Sequence, residues 1–395
     1  MNTRAQAVIG AGYGDEGKGM LVDRLTAATR NATVVRSNGG AQAGHTVVSP
    51  EGRRHVFHHV GAGSFAGAAT HFSRFFVAHP MLLLDELAVL AGLGVKPKLS
   101  SDPRALVTTP YDVIINQAVE LLRGNARHGS CGLGFGETIE RNLNAEFALV
   151  TQDLFRPDLA ERLAAIRDRW VPQRLADLGI VELPPVLAEA LAADATLQAF
   201  VADCQAYLDY VSLWPDRRLK DLGPIIFEAA QGLMLDQDYG AFPHVTRSKT
   251  GLPNMLSIAA EAQLAGIDVV YATRCYATRH GAGPLKGEVN TVEGITVVDP
   301  TNAPNAWQGT LRVAPLDLQV LRDAIAHDLS TVMQGMNVTA SLAVTCLDQA
   351  KGAFSVADGD TIYRLQPDEA AHTIAEAIGL PLRFQCRSPG RLQPA

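Results

Sequence analysis

Short apolar runs alternate with segments of helical periodicity along most of the chain. The first run, Gln6 to Ala11, precedes a glycine-rich turn and then a stretch, GMLVDRLTAAT, with apolar positions at helical spacing. Later runs end in polar or glycine residues, as strands of a buried sheet do: ATVVRS, GPIIFEAAQG, IDVVYATR and SLAVTCLD. The stretch HVFHHV alternates as a half-buried strand would. Helical segments lie between several of them. The pattern predicts an α/β fold with a mainly parallel central sheet flanked by helices, and ligands at the carboxyl ends of its strands.

The pattern changes between about Asp153 and Asp216. Here the sequence predicts long amphipathic helices rich in Ala, Leu, Arg and Asp. We interpret this segment as a helical lobe within one α/β domain that spans residues 1–395. A separate helical domain is the alternative.

Composition narrows the class of protein. The 395 residues are 47% hydrophobic and 19% charged, with a formal net charge of -7, which is typical of a soluble globular protein and provides no polybasic surface for nucleic acid or membrane. Five scattered cysteines without Cys-x-x-Cys spacing favour reduced thiols over a zinc site or disulfides. The apolar runs are too short for a membrane span, and the start does not resemble a signal peptide. We therefore expect a cytoplasmic protein with small-molecule partners.

The first glycine-rich turn, GYGDEGKGM, nearly fits a phosphate-binding P-loop, but Gly19 stands where the magnesium-binding hydroxyl belongs. Backbone N–H groups at a helix start favour an anion, and Lys18 adds a charge suited to a phosphoryl group. A generic anion site or a tight turn would not need Asp15, Glu16 and Lys18 between glycines. The stretch predicts a P-loop-like nucleotide site.

A second cluster, NGGAQAGHT, also follows a predicted strand. It carries Gln42, His45 and Thr46 beside flexible glycines, which favours His45 as an active-site acid or base because imidazole exchanges a proton near neutral pH. His58 and His59 lack such a setting, and we interpret them as structural.

Other clusters follow later segments. The loop HGSCGLGFGE is rich in small residues that can approach a phosphate or sugar closely. The stretches FEAAQGLMLD, PHVTRSKTG and YATRHGAGP place polar and glycine residues at the same predicted sheet edge, namely Gln231, Thr246, Arg279 and Gly281. In TCLD, Asp348 could accept N–H bonds from a guanine edge. A turn role for Gln231 and a strand-capping role for Asp348 are the structural alternatives.

Taken together and in this order, GYGDEGKG, GGAQAGHT, FEAAQGLMLD, YATRHGAGP and TCLD resemble the motifs of the adenylosuccinate synthetase family over nearly the whole chain. The usual family forms are close to Gly-Asp-Glu-Gly-Lys-Gly, Asn-Asn-Ala-Gly-His-Thr, Phe-Glu-Gly-Ala-Gln-Gly, Thr-Thr-Arg-Val-Gly-x-Gly-Pro and Thr-Lys-Leu-Asp. The resemblance implies a GTP- and magnesium-dependent carbon–nitrogen ligase, usually a homodimer, that joins L-aspartate to C6 of a 6-oxopurine nucleotide.

The resemblance also implies three catalytic residues. Asp15 would take the proton from N1 of the base and bind Mg²⁺, with the Gly44 carbonyl completing the metal site. Lys18 would steady the transferring phosphoryl group, and His45 would act as a general acid towards the phosphate oxygens. The 6-oxyanion would attack the γ-phosphate, and the aspartate amine would displace the resulting 6-phosphoryl group, a reaction that depends on positioning and charge neutralisation.

Further residues are implied by the resemblance as ligand contacts. Those expected to bind nucleotide are Gly14, Asp15, Glu16, Gly17, Lys18, Gly19, Gln42, Gly44, His45, Thr46, Ser130, Cys131, Arg141, Gln231, Thr246, Asp348, Pro389 and Gly390. Thr310 and Arg312 are the remnants of the family's aspartate loop and are expected to bind aspartate.

The sequence departs from the family forms mainly in the substrate and base pockets. Ser130 and Cys131 replace the hydroxyls that hold the monophosphate, and Leu133 replaces an Arg. Arg141 is a displaced candidate for the Arg that reaches the partner subunit's nucleotide. Gln42 lengthens the usual Asn beside the base. A further departure, at Cys346, removes the Lys that lies over the guanine of GTP.

Because the catalytic residues are intact, these departures indicate altered specificity. They favour the family's viral branch, which resembles this fold and aminates (d)GMP to 2-aminoadenylosuccinate, in part with ATP or dATP as donor. A virus-encoded protein would then act in the host cytoplasm. The ordinary reaction of IMP with GTP is the alternative, and Asp348 keeps GTP open as donor. A non-catalytic nucleotide-binding regulator and a P-loop kinase are alternatives from other classes.

Overall fold

The predicted alternation of strands and helices is present in the computed structural model, which describes residues 4–124, 130–299, 310–388 and 390. The strands are β1 (Arg4–Gly10), β2 (Thr33–Arg36), β3 (His45–Val48), β4 (Arg54–Phe57), β5 (Ala69–Phe72), β6 (Val77–Ala78), β7 (Leu99–Ser101), β8 (Leu106–Val107), β9 (Val211–Leu213), β10 (Ile225–Gly232), β11 (Gly266–Arg274), β12 (Tyr276–Arg279), β13 (Arg312–Asp317), β14 (Asn337–Thr345), β15 (Phe354–Asp358), β16 (Thr361–Leu365) and β17 (Leu382–Gln385). The α-helices are α1 (Lys18–Ala27), α2 (Pro80–Gly92), α3 (Pro110–Arg123), α4 (Phe135–Asn142), α5 (Leu159–Ala165), α6 (Val171–Asp177), α7 (Pro185–Ala192), α8 (Asp194–Tyr210), α9 (Leu252–Glu261), α10 (Leu318–Ser330) and α11 (Ala370–Ile378).

Within the described residues, the central sheet has nine strands, in the order β17-β14-β11-β1-β10-β2-β5-β7-β9. Every neighbouring pair is parallel, which confirms the predicted sheet. The chain leaves β1 for β2 and later returns as β10, which lies between these two strands. The strand order therefore reverses beside β1, and in open α/β sheets the crevice at such a reversal is where ligands bind.

The strands of the sheet centre are buried on both faces. Alternate residues of one strand enter two separate cores, because successive side chains of a strand point to opposite faces. Val8 and Val270 lie in one core with residues of α1, α2, α3 and α8. Ile9 and Tyr271 lie in the other with residues of α9, α10 and α11. Both faces are thus covered by helices, as a parallel sheet requires.

Smaller sheets surround the central one. Strands β12, β13, β15 and β16 form a four-stranded mixed sheet, β3 and β4 form an antiparallel hairpin, and β6 pairs with β8. The hairpin matters for function because it begins at His45, directly after the second glycine-rich cluster.

Helices α5 to α8 occupy most of the segment for which the sequence predicts long helices. One predicted helix is interrupted between α5 and α6 by a π-helical turn, Ile166–Trp170, that precedes Pro172. Proline lacks the N–H that an α-helix would need at this point. The short strand β9 follows α8, extends the edge of the central sheet and was not predicted. Among the described residues, no helix is alone long and apolar enough to cross a bilayer, and only α7 with α8, bent by 65°, would pass by length and composition.

Asp328 gives the fold a pH-dependent stability. Its buried carboxyl group accepts hydrogen bonds from Leu252 N (2.8 Å) and the Tyr271 hydroxyl (2.8 Å). Burial raises the pKa of Asp328 to about 6. Since the pKa is higher in the folded state, the contribution of this group to stability is present at acid pH and is lost as the pH rises through about 6.

Replacement of Asp328 by Asn should remove this dependence. The free energy of unfolding of the native protein, relative to that of the variant, is expected to fall by about 2 kcal/mol between about pH 4 and pH 6.5. Urea unfolding across this pH range measures the difference. The exposed Asp323 on the same helix provides a matched control, Asp323→Asn, which should leave the pH dependence unchanged. A parallel pH dependence in both variants would contradict the assignment.

Candidate active site

The loops that follow five strands of the central sheet meet at its carboxyl edge. Asn38, after β2, exchanges two hydrogen bonds with the backbone of Ala230 in β10 (2.8 and 3.1 Å). The Thr345 hydroxyl at the end of β14 lies 3.0 Å from the Glu16 carbonyl, and Arg274 Nε at the end of β11 donates to the Asp15 carbonyl (2.5 Å). The structure therefore brings together sequence clusters that are up to 329 residues apart in the chain.

Glu16 fills the interior of the first loop. Its carboxylate accepts hydrogen bonds from the Gly12 and Gly14 amides (3.1 and 2.8 Å) and from Lys18 Nζ (2.7 Å). Glu16 and Lys18 are both buried. The Gly12 and Gly14 amides, which the sequence pattern predicts to bind a phosphate, thus donate to a carboxylate of the protein instead. The Lys18 ammonium has three N–H donors, so those that do not bond to Glu16 can bind a ligand.

Three residues of the site have left-handed backbone conformations that side chains other than glycine rarely adopt. These are Asp15 (φ 63°), Gln231 (φ 60°) and Cys346 (φ 59°), which follow or end β1, β10 and β14. Strained conformations of this kind collect at functional sites, where they aim a side chain that the chemistry needs. The Asp15 carboxylate is 27% exposed and lies 3.4 Å from Nε2 of His280.

His45 is held by a buried carboxylate. Its Nδ1–H donates to Glu228 Oε1 (2.6 Å), and the other oxygen of Glu228 accepts from the Ala62 amide (3.1 Å). Arg36, also fully buried, has Nη1 3.8 Å from the same oxygen. With Nδ1 committed to Glu228, Nε2 is the ring nitrogen left to exchange a proton with a ligand.

Burial and charge set the protonation of this pair. Burial, together with the nearby Arg36 and Lys18, lowers the pKa of His45 despite the opposing charge of Glu228. Burial would raise the pKa of Glu228, but His45 and Arg36 outweigh it and lower that pKa. In the absence of a ligand the pair is therefore a neutral imidazole beside a carboxylate. A phosphate dianion next to the ring would favour the imidazolium that an acid role requires.

The absence of a side chain at Gly19 is explained by His45. A Cβ atom at Gly19 would lie 2.9 Å from Cβ and 3.1 Å from the carbonyl carbon of His45, closer than side chains pack. The first turn of α1 and the start of β3 are in direct contact here. Gly19 is thus required by the packing of the candidate acid.

We expect Gly19→Ser, which completes the P-loop pattern, to reduce activity. Because the new side chain displaces His45, kcat/KM should fall at least about tenfold. Gly92→Ser is the matched control, since Gly92 ends α2 with no atom within 4 Å of an added Cβ. Full activity of the Gly19 variant, at unchanged thermal stability, would contradict this explanation.

Two buried amide groups in the cleft lack partners among the described residues, namely Gln42 Nε2 and Gln231 Oε1. Both side chains lie beside the glycine pair after β2. Cβ atoms added at Gly39 and Gly40 would lie 3.5 Å from Gln231 Oε1 and 3.0 Å from Gln42 Oε1. Buried polar atoms are nearly always paired, so these two are suited to hydrogen bonds with a ligand.

The loop before α4 also lies at the cleft. Ser130 Oγ accepts from Asn116 Nδ2 (3.0 Å), and Asn116 Oδ1 accepts from the Gly134 amide (3.1 Å). Burial and the negative charge of Asp15 raise the pKa of Cys131 to about 11. The thiol is therefore protonated at neutral pH and sits within electrostatic reach of the candidate base.

The remaining residues that the sequence predicts for the nucleotide site differ in burial and in their contacts. Gly44 is exposed, Thr46 follows His45 in β3, and the Thr246 amide donates to the Leu235 carbonyl (2.8 Å). Asp348 is half-buried in the turn after β14, and Gly17 packs on Thr345.

The structure places Gly390 near the C-terminus, and Thr310 and Arg312 of the predicted aspartate loop, as follows. The Gly390 carbonyl accepts from Arg24 of α1 (3.3 Å), whereas Pro389 lies outside the described residues. Arg312 Nη1 donates to the carbonyls of Gly281 and Gly283 (2.9 and 2.8 Å), and Thr310 is exposed.

Arg141 does not reach the cleft. It is fully buried in α4, where its guanidinium donates to both carboxylate oxygens of Asp112 (2.9 Å each) and to the carbonyls of Val107 and Phe147 (2.7 Å each). These bonds join α4 to α3 and to β8. The sequence-based prediction that Arg141 contacts a nucleotide is therefore corrected to a structural role.

Sequence reasoning missed three charged residues of the site, Glu228, Arg36 and Arg274. Each lies in or at the end of a mostly apolar, buried strand. A charged residue in such a run is seldom fully buried without a partner, and this signal could have identified them.

Asp15 and Gly44 are suited to hold Mg²⁺. The described residues contain no group of three or more His, Cys, Asp or Glu that could form a metal site of protein ligands alone. Magnesium, however, commonly binds through one or two carboxylates together with phosphate and water oxygens. The partly exposed carboxylate of Asp15 fits that mode of binding, and Gly44 is an exposed residue.

Comparisons with known proteins agree with this geometry. The family model for adenylosuccinate synthetase matches residues 7–366. Adenylosuccinate synthetase of Chromohalobacter salexigens is 31% identical over 369 residues, covering 90% of this chain and 81% of the relative. That of Nitrosomonas eutropha is 33% identical over 357 residues, covering 88% and 78%.

Two solved structures share the fold. A fully ligated adenylosuccinate synthetase from Plasmodium falciparum has a TM-score of 0.72 at 16% identity, covering 98% of both chains. Succinoaminodeoxyadenylate synthetase of cyanophage S-2L, bound to dGMP and to dATP as an energy donor, has a TM-score of 0.60 at 16% identity, covering 99% of this chain and 94% of that one. The match over most of the chain and the relatives above 30% identity show that this chain belongs to the adenylosuccinate synthetase family, the carbon–nitrogen ligases.

Proposed function

We propose that this ligase condenses L-aspartate with C6 of (d)GMP to give N6-succino-2-aminoadenylate. The observation that carries the proposal is the cleft at the sheet edge, where Asp15, Lys18 and the His45–Glu228 pair are intact beside the unpaired amides of Gln42 and Gln231. The departure at Gln42 supplies one of these amides, and Cys131 lies within electrostatic reach of Asp15. The dGMP-bound cyanophage enzyme with the same fold lends support to this substrate.

The residues would divide the reaction as follows. Asp15 accepts the N1 proton, so that O6 attacks the γ-phosphorus of the donor, forms the C6–O–P linkage and releases the nucleoside diphosphate. The aspartate amine then attacks C6, and inorganic phosphate leaves. Lys18 and protonated His45 neutralise charge on the phosphoryl oxygens in both steps. Mg²⁺, held by Asp15 and Gly44, would supply charge neutralisation to the donor phosphates.

The donor and the assembly form part of the same proposal. Asp348 suits the N1 and 2-amino edge of a guanine, whereas Cys346 in place of the family's Lys leaves room for another base, so GTP and ATP or dATP are the donors to compare. We expect Thr310 and Arg312 to bind aspartate, with Arg312 released from Glu288, its partner in this structure. We also expect a homodimer and a cytoplasmic location.

A specific observation favours a second candidate, the ordinary reaction of IMP with GTP. The sequence relatives above 30% identity are named adenylosuccinate synthetases. The two candidates share all catalytic steps and differ only in the group at C2 of the base and in the donor.

The test combines purified protein, Mg²⁺ and aspartate with IMP, GMP or dGMP, and with GTP, ATP or dATP. Aspartate-dependent phosphate release and the absorbance change of a succinylated purine are the readouts. We expect the highest kcat/KM with a guanine nucleotide as acceptor. Turnover of IMP alone would establish the second candidate, and nucleotide binding without turnover of any pair would indicate a non-catalytic regulator.

A further inference from the structure

His280 lies next to the candidate base, and its ring makes no hydrogen bond to the residues that the structure describes. Its Nε2 is 3.4 Å from Oδ2 of Asp15, and both ring nitrogens are buried without a hydrogen bond to another described residue. Leaving buried polar atoms unpaired is unfavourable by about 1–3 kcal/mol for each group. The ring is therefore suited to a polar group of a ligand that approaches Asp15.

Two arginines fix the loop that carries His280. Arg279, the preceding residue, is buried and donates to the carbonyls of His244 (3.0 Å) and Pro284 (2.8 Å). Arg312 donates to the carbonyls of Gly281 and Gly283 on the other side of the histidine. Gly281 has φ 69°, which turns the chain sharply after the ring. The position of His280 is thus set by the protein before a ligand binds, as recognition of one functional group requires.

We propose that His280 is a specificity-determining residue that accepts an N–H of the 2-amino group of a guanine nucleotide while Asp15 accepts N1–H. This inference rests on the proposed function. N1–H and the 2-amino group are adjacent donors on one edge of guanine. With its proton on Nδ1, His280 would present Nε2 as an acceptor 3.4 Å from Oδ2 of Asp15, and two acceptors at this separation can serve two such donors. A neutral imidazole has one acceptor nitrogen for this purpose.

Hypoxanthine would interact differently with the same pair. It presents N1–H to Asp15 but only C2–H to His280, so one acceptor of the site would stay buried and unpaired. Sites built to bond an N–H reject analogues that lack it, because the protein group is then left without a partner. The family form given above has Val at this position, where an apolar side chain suits C2–H and offers nothing to an amino group.

The test uses dGMP and dIMP, which differ only in the 2-amino group, with native protein and His280→Val. Calorimetry gives the Kd for each nucleotide, and steady-state kinetics gives kcat/KM. We expect His280→Val to weaken dGMP binding about 5–100-fold and to leave dIMP binding within about twofold. His280→Gln, which retains an acceptor, should recover most of the preference for dGMP. The exposed His372 gives the control, His372→Val.

Two results would overturn the proposal. Equal losses for dGMP and dIMP would indicate that His280 positions Asp15 and does not contact the base. An unchanged preference in His280→Val would place the 2-amino group elsewhere. Since binding is measured apart from turnover, a native protein that binds both nucleotides but condenses neither would refute the proposed function while the binding ratios still decide the role of His280.

Discussion

Replacement of Asp15 by Asn is expected to lower kcat at least about 10³-fold. The amide cannot take the N1 proton and carries no charge for Mg²⁺, so the first chemical step loses both contributions at once. The fold should tolerate the change, because Asn adopts the left-handed conformation of residue 15 (φ 63°) as readily as Asp. Single-turnover phosphate release measures the loss.

The control for Asp15 is the exposed Asp360, whose replacement by Asn removes the same charge in the turn between β15 and β16. Both variants should melt within a few degrees of the native protein. If Asp15→Asn still transferred phosphate from the donor, the base would have to be another group, and the P-loop kinase alternative would be favoured.

Glu228→Gln should lower kcat about 10²-fold through His45. The Gln side chain keeps the size of Glu228 but cannot support a positive charge on the imidazole, which the phosphate-neutralising role of His45 needs. The KM for the nucleotides should change little, because Glu228 is fully buried and its carboxylate oxygens already accept hydrogen bonds from His45 and the Ala62 amide. Steady-state kinetics separates the two parameters.

A double-mutant cycle decides whether Glu228 acts through His45. His45→Asn alone should remove about 10²–10³-fold of kcat, and adding Glu228→Gln should cost little more, because the residue that it supports is already absent. His372→Asn on α11 is a surface control for the histidine change. Fully additive losses would show that Glu228 has a role of its own, such as holding Arg36.

The sheet and the position of the cleft could be predicted from the sequence because each depends on local signals. Apolar runs that end in glycine or polar residues locate the strands, and parallel strands bring those ends to one edge. GYGDEGKG and TCLD are an example, since Thr345 bonds to the carbonyl of Glu16. The interruption before Pro172 was not predicted, although the missing N–H of proline disfavours a continuous α-helix there, and the strand β9 was too short to give a pattern.

The partners within the site could not be predicted, because they depend on three-dimensional packing. Glu228 is 183 residues from His45, and no local spacing relates them. The occupation of the first loop by Glu16 depends on side-chain direction, which the alternation of residue types does not encode. Arg141 was misassigned for the same reason, since a charged residue in a glycine-rich neighbourhood looks accessible until α3 and Asp112 are placed over it.

The left-handed residues of the cleft have a consequence for protein engineering. Holding Gln231 and Cys346 at φ near 60° opposes folding by roughly 1–3 kcal/mol each, and glycine would relieve it. Selection for thermal stability alone should therefore enrich glycine at these two positions and yield more stable proteins with lower catalytic activity. Screens for thermostable variants of this ligase therefore need to measure turnover in the same round, because at these positions a gain in thermal stability is expected to reduce activity.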